Sequence, residues 1–313
     1  MLQLRRLVFA LAGSLALAAP ALAGKLAIVI DDFGYRPSTE NQVLAMPAEV
    51  SVAVLPNAPH AREMATKAHN QGHDVLIHLP MAPLSKQPLE KDTLRPDMSS
   101  EEIARIIREA VNGVPYAIGM NNHMGSAMTS SLPGMQKVMA ALAHYNLFFL
   151  DSMTIGNSQA MRAAAGTGVK VIKRKVFLDD TQNEADIRYQ FNRAVALARR
   201  NGSAIAIGHP HPSTVRVLQQ MLYSLPPDIT LVRASSLLNE PQVDTSRPNA
   251  APPSQTVPAA PRNPFRGVKL CKPKRQPEPV YATRFFTVIS ESVSESAVVS
   301  YFRHQWQGWG KQS

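Results

Sequence analysis

The sequence predicts an α/β fold, a distorted (β/α) barrel of seven or eight parallel strands followed by a Pro-rich tail. Three observations carry this. Short apolar runs alternate with amphipathic helical stretches from Lys25 to about Glu240, which is the pattern of repeated strand–helix units. The number of such units, seven or eight, favours a barrel over an open sheet. Beyond Glu240 the composition turns to Pro, Ala and Ser, which ends the repeating pattern.

The first candidate strand, residues 26–30, is five consecutive apolar residues within KLAIVIDDFG, as a buried strand requires. Further strands are expected at 50–55, 75–79, 117–120, 147–150, 169–172, 204–207 and 229–232, and helices at 58–71, 99–112, 131–146, 184–201 and 213–222. Ser99 with Glu102 three residues on reads as a capping box, and Ile103, Ile106 and Ile107 follow at helical spacing. Gly202 after Arg199-Arg200-Asn201 reads as a helix stop.

The chain ends are distinct. Arg5 and Arg6 precede an apolar run over 7–18, and Ala21-Leu22-Ala23 gives a small-x-small cleavage pattern, so residues 1–23 read as a secretory signal peptide. That run is too short to span a bilayer, as is every later one. The expected localisation is the bacterial periplasm or outside the cell, after cleavage near Ala23. The single cysteine, Cys271, makes no internal disulfide. Residues 241–284 read as a Pro-rich basic linker, and 285–313 as an apolar, aromatic segment that contacts another envelope component or folds back. The formal charge of +10 is concentrated there. Residues 241–313 carry 10 Lys and Arg against 4 Asp and Glu, leaving 21 against 19 in residues 24–240. A nucleic-acid partner is therefore not expected.

The strand ends carry the chemistry. Asp31-Asp32 follows the first strand, His78 lies near the end of the third, and Asn121-Asn122-His123 follows the fourth. Asp151 ends the fifth, and Gly208-His209-Pro210-His211 follows 204–207. In a parallel α/β domain these ends share one face, where active sites assemble. A lone Asp after a strand is often a helix cap, which suits Asp151. Two adjacent carboxylates repel unless a cation or donors sit between them. His209 and His211, separated by Pro, should diverge, so one of them points inward. His60, His69, His73 and His144 are expected at the surface, and Asp179-Asp180, after Lys173-Arg174-Lys175, as a surface ion-pair cluster. Asp and His without cysteine suit zinc or a similar divalent metal, with three protein ligands and an open position for water. One Asp of the pair would hold the metal and its neighbour act on the water.

VIDDFG, GHDVLIHLPMAP, NNHMGS, FLDSMT and AIGHPHP, in this order, resemble the divergent polysaccharide deacetylases, relatives of the NodB-type carbohydrate esterases. The resemblance covers residues 25–240. It implies a NodB-like distorted barrel and metal-dependent removal of N- or O-linked acetyl groups from a cell-envelope polysaccharide. It implies further that Asp31 is the general base, Asp32 and His78 bind the metal, and His209 is the general acid. The second metal histidine of the NodB pattern, four residues after the first, is Ala82 here, and His123 is the expected replacement. The arginine that positions the catalytic aspartate in that pattern is replaced by Asn121 and Asn122. Asn122, Asp151 and His211 are expected to orient substrate or support the ligands. The alternative is a non-catalytic glycan- or protein-binding module on a degenerate barrel of the same kind.

Overall fold

A computed structural model describes residues 23–240. The linker and C-terminal segment, and the expected signal peptide apart from Ala23, lie outside the described residues. The strands are β1 (Gly24–Phe33), β2 (Ser51–Val54), β3 (Val75–Met81), β4 (Gly119–Met124), β5 (Phe148–Asp151), β6 (Val171–Lys173), β7 (Val176–Phe177), β8 (Ser203–Gly208) and β9 (Ile229–Leu231). The helices are α1 (Pro37–Leu44), α2 (Ala61–Asn70), α3 (Ser100–Gly113), α4 (Ser126–Ser130), α5 (Leu132–Leu142), α6 (Ala160–Ala163), α7 (Glu184–Asn201) and α8 (Pro212–Met221).

Every strand pairing is parallel, in the order β6-β5-β4-β3-β2-β1-β8-β7, with β9 also on β1. The two ends of that order are consecutive in the chain. β6 pairs with β5 and β7 with β8, and between them Arg174 N–H donates to Asp151 O while Lys175 N–H donates to Ile205 O. One extended segment thus divides its backbone between both margins of the sheet, which curls into the expected distorted barrel.

Each expected strand forms, within four residues at its ends. α1, α4, α6 and β7 were not expected, being too short for a periodic signal. The helix signals hold: Ser99 Oγ accepts from Glu102 N–H, and Gly202 takes the left-handed conformation that ends α7.

β1 sets the layers. Leu26, Ile28 and Ile30 pack outward with the helix residues, whereas Ala27 and Val29 join Ala53, Leu76, Leu150, Ile172, Ile205 and Ile207 inside the curl. A short 3₁₀ turn, Ala234–Leu237, closes the N-terminal end of the strands. Ala234 and Leu237 join the inner cluster, Ala234 N–H donates to Ser51 Oγ, and Ser235 N–H donates to Asp74 Oδ2. The C-terminal end is left for chemistry. His73, expected at the surface, is instead buried, its ring nitrogens 2.7 Å from Val50 O and 3.2 Å from Leu44 O. It joins α1, α2 and the start of β2, a long-range role that local sequence does not reveal.

Candidate active site

The inner face of six strands, β1, β3, β4, β5, β6 and β8, ends in a polar residue. Following the two-residue alternation past Val29, Leu76, Leu150, Ile172 and Ile207 gives Asp31, His78, Ser152, Arg174 and His209, with Asn121 on β4. The apolar interior and the polar cluster are therefore one side-chain series, read from bottom to top.

Asp32 should point away by this rule and does not. Its φ is +59°, in the left-handed region, and the β1–β2 register shifts between Ile30 and Phe33. Asp tolerates this conformation better than most residues because its short side chain bonds locally. The break in alternation brings both carboxylates to one site. The following turn is held by Glu40 from α1, whose Oε1 accepts from the backbone N–H groups of Gly34, Tyr35 and Arg36 at 3.0, 3.0 and 2.6 Å. Sequence reasoning missed Glu40, although an acid in the first turn of a helix after a Gly-containing loop was a usable signal.

Three ligand-type atoms converge. Asp32 Oδ1 lies 3.3 Å from His78 Nε2 and 3.1 Å from His123 Nδ1, and those nitrogens are 3.1 Å apart. In a tetrahedral zinc site with N and O bonds of about 2.0–2.1 Å, ligand atoms are about 3.3–3.4 Å apart. Asp32 Oδ1 is buried and has no hydrogen bond of good geometry. An orphaned carboxylate oxygen facing two imidazole nitrogens fits a divalent cation, and the donor set suits zinc. Each histidine is backed on its far nitrogen: His78 Nδ1 lies 2.8 Å from Asn121 Oδ1, and His123 Nε2 lies 3.3 Å from Glu90 Oε1.

Asn121 is the hub. Its Nδ2 donates to Asp31 Oδ1 at 2.8 Å and to Ser152 Oγ at 3.3 Å, while its Oδ1 faces His78. One amide thus orients both the inner carboxylate and a candidate ligand. The two aspartates are driven apart electrostatically. Burial pushes Asp31 up, opposed in part by the charges of His78 and His209. Burial also acts on Asp32, but the imidazoles of His123 and His78 close beside it outweigh it and hold that carboxyl far below the usual range. Two carboxylates separated in this way suit two different roles.

His209 stands across from Asp32, its Nε2 3.9 Å from Asp32 Oδ2. Its Nδ1 is 3.0 Å from Asp179 Oδ1, and Asp179 Oδ2 accepts from His209 N–H and Thr214 Oγ1, both at 2.7 Å. Burial disfavours the charged ring, but the hydrogen bond and charge of Asp179, with those of Asp32 and Asp31, push its pKa up to about 9. The surface expectation for Asp179 is corrected: it is buried at the foot of His209, because the chain turns inward after β7. His211 diverges, as expected. It is the N-cap of α8, with its ring nitrogens 3.4 Å from Arg36 Nη1 and from Gln182 Nε2.

Two residues expected to orient substrate or support the ligands are engaged by backbone groups. Asn122 donates to Met124 O and accepts from Ser152 N–H, which ties the β4 and β5 loops together and occupies its amide. Asp151 has the outward parity of Phe149, and its Oδ1 accepts from Met153 N–H in a tight turn. Ser152 takes the inward place.

Cavities flank the cluster on both sides. The larger, about 610 Å³, includes Asp31, Ser152, Arg174 and Phe177 in its wall, and the smaller, about 180 Å³, includes Asp32, Tyr35 and His211. His123 and His209 border both, so the convergent atoms sit at the waist of an open groove.

Residues 28–238 match the family described as divergent polysaccharide deacetylase. The chain belongs to that family. The chain is also 78% identical, over 312 residues, to the uncharacterized protein YibQ of Escherichia coli K12, covering all of this chain and 97% of that one. An uncharacterized protein of Haemophilus influenzae is 47% identical over 224 residues, covering 72% of this chain and 80% of that one. Among solved structures, the uncharacterized protein ATU2773 of Agrobacterium tumefaciens C58 superposes with a TM-score of 0.64 at 20% identity, covering 70% and 91% of the two chains, a likeness in fold.

At Ala82, the place of the second histidine in the NodB pattern, the backbone carbonyl accepts from Ala127 and Met128 N–H at the start of α4. His123, from the neighbouring strand, lies edge-on beside His78, with ring centroids 4.9 Å apart. The turn after it needs glycine: Gly125 has φ +96°, and a Cβ there would lie 2.9 Å from Met81 Cβ.

Proposed function

We propose that this protein is an exported, metal-dependent hydrolase that removes N- or O-linked acetyl groups from a cell-envelope polysaccharide. The observation that carries the reading is the convergence of Asp32, His78 and His123 within 3.3 Å, with Asp31 on one side and His209 on the other. Asp32 Oδ1, His78 Nε2 and His123 Nδ1 would hold the ion. When bound, a zinc or similar ion supplies Lewis acidity and lowers the pKa of water. Asp31 Oδ1 is engaged by Asn121, which leaves Oδ2 to take the proton from the attacking water. His209, anchored at Nδ1 by Asp179, presents Nε2 to give a proton to the departing sugar oxygen or nitrogen. A groove open on both sides of the centre suits a substituent on a longer chain.

Export rests on the signal-peptide pattern of residues 1–23. Among the described residues no helix is long and apolar enough to cross a membrane. The test is zinc per chain by elemental analysis, in wild type and His123→Ala, together with acetate release from acetylated glycans by wild type and Asp31→Asn. The expected result is about one zinc per wild-type chain, lost in His123→Ala. Asp31→Asn should keep the metal and lose roughly 10²–10⁴ in rate. A wild type that takes up no metal after reconstitution, or an Asp31→Asn protein at full rate, overturns the proposal.

A further inference from the structure

The larger cavity holds two arginines that make no ion pair within 4.0 Å among the described residues. Arg174 follows β6 at the top of the inner series. Its Nε donates to Ser152 O and its Nη2 to Met153 O, and Phe177 lies under the guanidinium, 5.0 Å from ring centre to carbon. Both hydrogen bonds are to neutral carbonyls, and among the described residues Nη1 has no partner. Arg193, on the exposed face of α7, donates among the described residues only to Gln190 Oε1 at 3.2 Å. Both arginines line the cavity, and neither makes an ion pair within 4.0 Å among the described residues. The cavity's exposed acid, Asp180, makes no ion pair within 4.0 Å with either, although its charge acts on Arg174 from farther off.

A half-buried guanidinium is costly without a counter-charge, and a second like charge on the same wall adds to the cost. Burial lowers the Arg174 pKa, and Arg193 lowers it further against the charges of Asp31 and Asp151. With a divalent ion bound, the charges of Asp31 and Asp32 would be balanced, leaving the arginines as the excess facing the cavity. Arginine held in a fixed plane is the residue type that binds planar or tetrahedral oxyanions with directional hydrogen bonds.

We propose that this cavity is a subsite for an anionic substituent, a carboxylate or phosphate carried on the glycan at or next to the acetylated sugar, anchored by Arg174 and Arg193. The inference rests on the proposed reading for the kind of molecule bound, and on the arginines for its charge. The preferred substrate is then an acidic polysaccharide rather than a neutral one.

The test is binding of three acetylated sugars to the zinc-loaded full-length mature protein, followed by NMR titration. The probes are N-acetylglucosamine, N-acetylmuramic acid, which adds a carboxylate, and N-acetylglucosamine 6-phosphate. At least one anionic sugar should bind roughly tenfold more tightly than the neutral one, and which one does so separates carboxylate from phosphate recognition. The advantage should shrink to less than about threefold in Arg193→Gln, an exposed position where folding is not at stake, and weaken with added salt. Equal binding of the three probes, no saturable binding of either anionic sugar, or a preference unchanged in both Arg193→Gln and Arg174→Gln overturns the inference. Binding is read without turnover, so absent acetate release leaves this result standing. Conversely, hydrolysis without anion preference removes the subsite alone.

Discussion

Replacing Asp179 by Asn tests whether a buried carboxylate keeps His209 protonated. The carboxylate accepts three hydrogen bonds, two of them from His209, and the His209 side chain is only 18% exposed. Raising that pKa from the ordinary 6.5 to about 9 corresponds to about 3 kcal/mol of preference for the charged ring in the folded state. A folded-state pKa above the unfolded one contributes stability that is fully present below about pH 6.5 and is lost as pH rises through about 9. Asn keeps one oxygen for the Nδ1 bond but loses the charge, and its NH₂ faces donors. The His209 pKa should therefore fall to about 7 or lower, and folding should lose about 1–3 kcal/mol at neutral pH from the mismatched buried donors. The assay is NMR titration of the His209 ring in metal-free protein, with urea unfolding at pH 6 and pH 9. In wild type the stability should drop between those pH values, and in Asp179→Asn that drop should shrink. A mutant pKa within about half a pH unit of wild type would refute the argument, leaving Asp31 and Asp32 as the source of the shift.

Two further expectations concern the groups behind the convergent atoms. Glu90→Gln should weaken zinc binding about 10- to 100-fold in chelator competition while leaving the fold intact, because Glu90 backs the far nitrogen of His123. Unchanged affinity would mean that the contact does not orient the ring. Asn121→Leu should cost about 1–3 kcal/mol for each group left unpaired at Asp31, His78 and Ser152, measured by urea unfolding of metal-free protein. A total loss below about 1 kcal/mol would show that water replaces the amide.

Much of the site was legible because a parallel α/β chain writes its active face at regular intervals. Asp31, His78, His123 and His209 each follow or end an apolar run, and strand polarity alone gathers such positions on one face. The metal-type donor set was readable from residue identity, as was the resemblance that matched the family over 28–238. Asp151 and Asn122 are held by backbone groups of the strand-end loops, since proximity to a strand end does not give side-chain parity, and their neighbours Ser152 and Asn121 take the inward places. Asp179, expected at the surface, and Glu40, not singled out, were missed for another reason. Each acts on groups brought near it by folding or by a loop turn, and a local window cannot separate them from ordinary surface acids.

The sequence by itself determined the succession of strands and helices, the face on which chemistry gathers, and the residue types available there. These follow from apolar periodicity and chain direction, which are local properties. Only the tertiary structure decided how Asp31 and Asp32 come to share a site, through a left-handed residue and a register shift in β1. It alone decided that Asn121 joins Asp31 to His78, and that Asp179 holds His209 from beneath. Hydrogen-bond distance between side chains tens of residues apart is set by how the sheet curls, and the curl depends on one segment bridging β5 and β8, a property of the whole barrel.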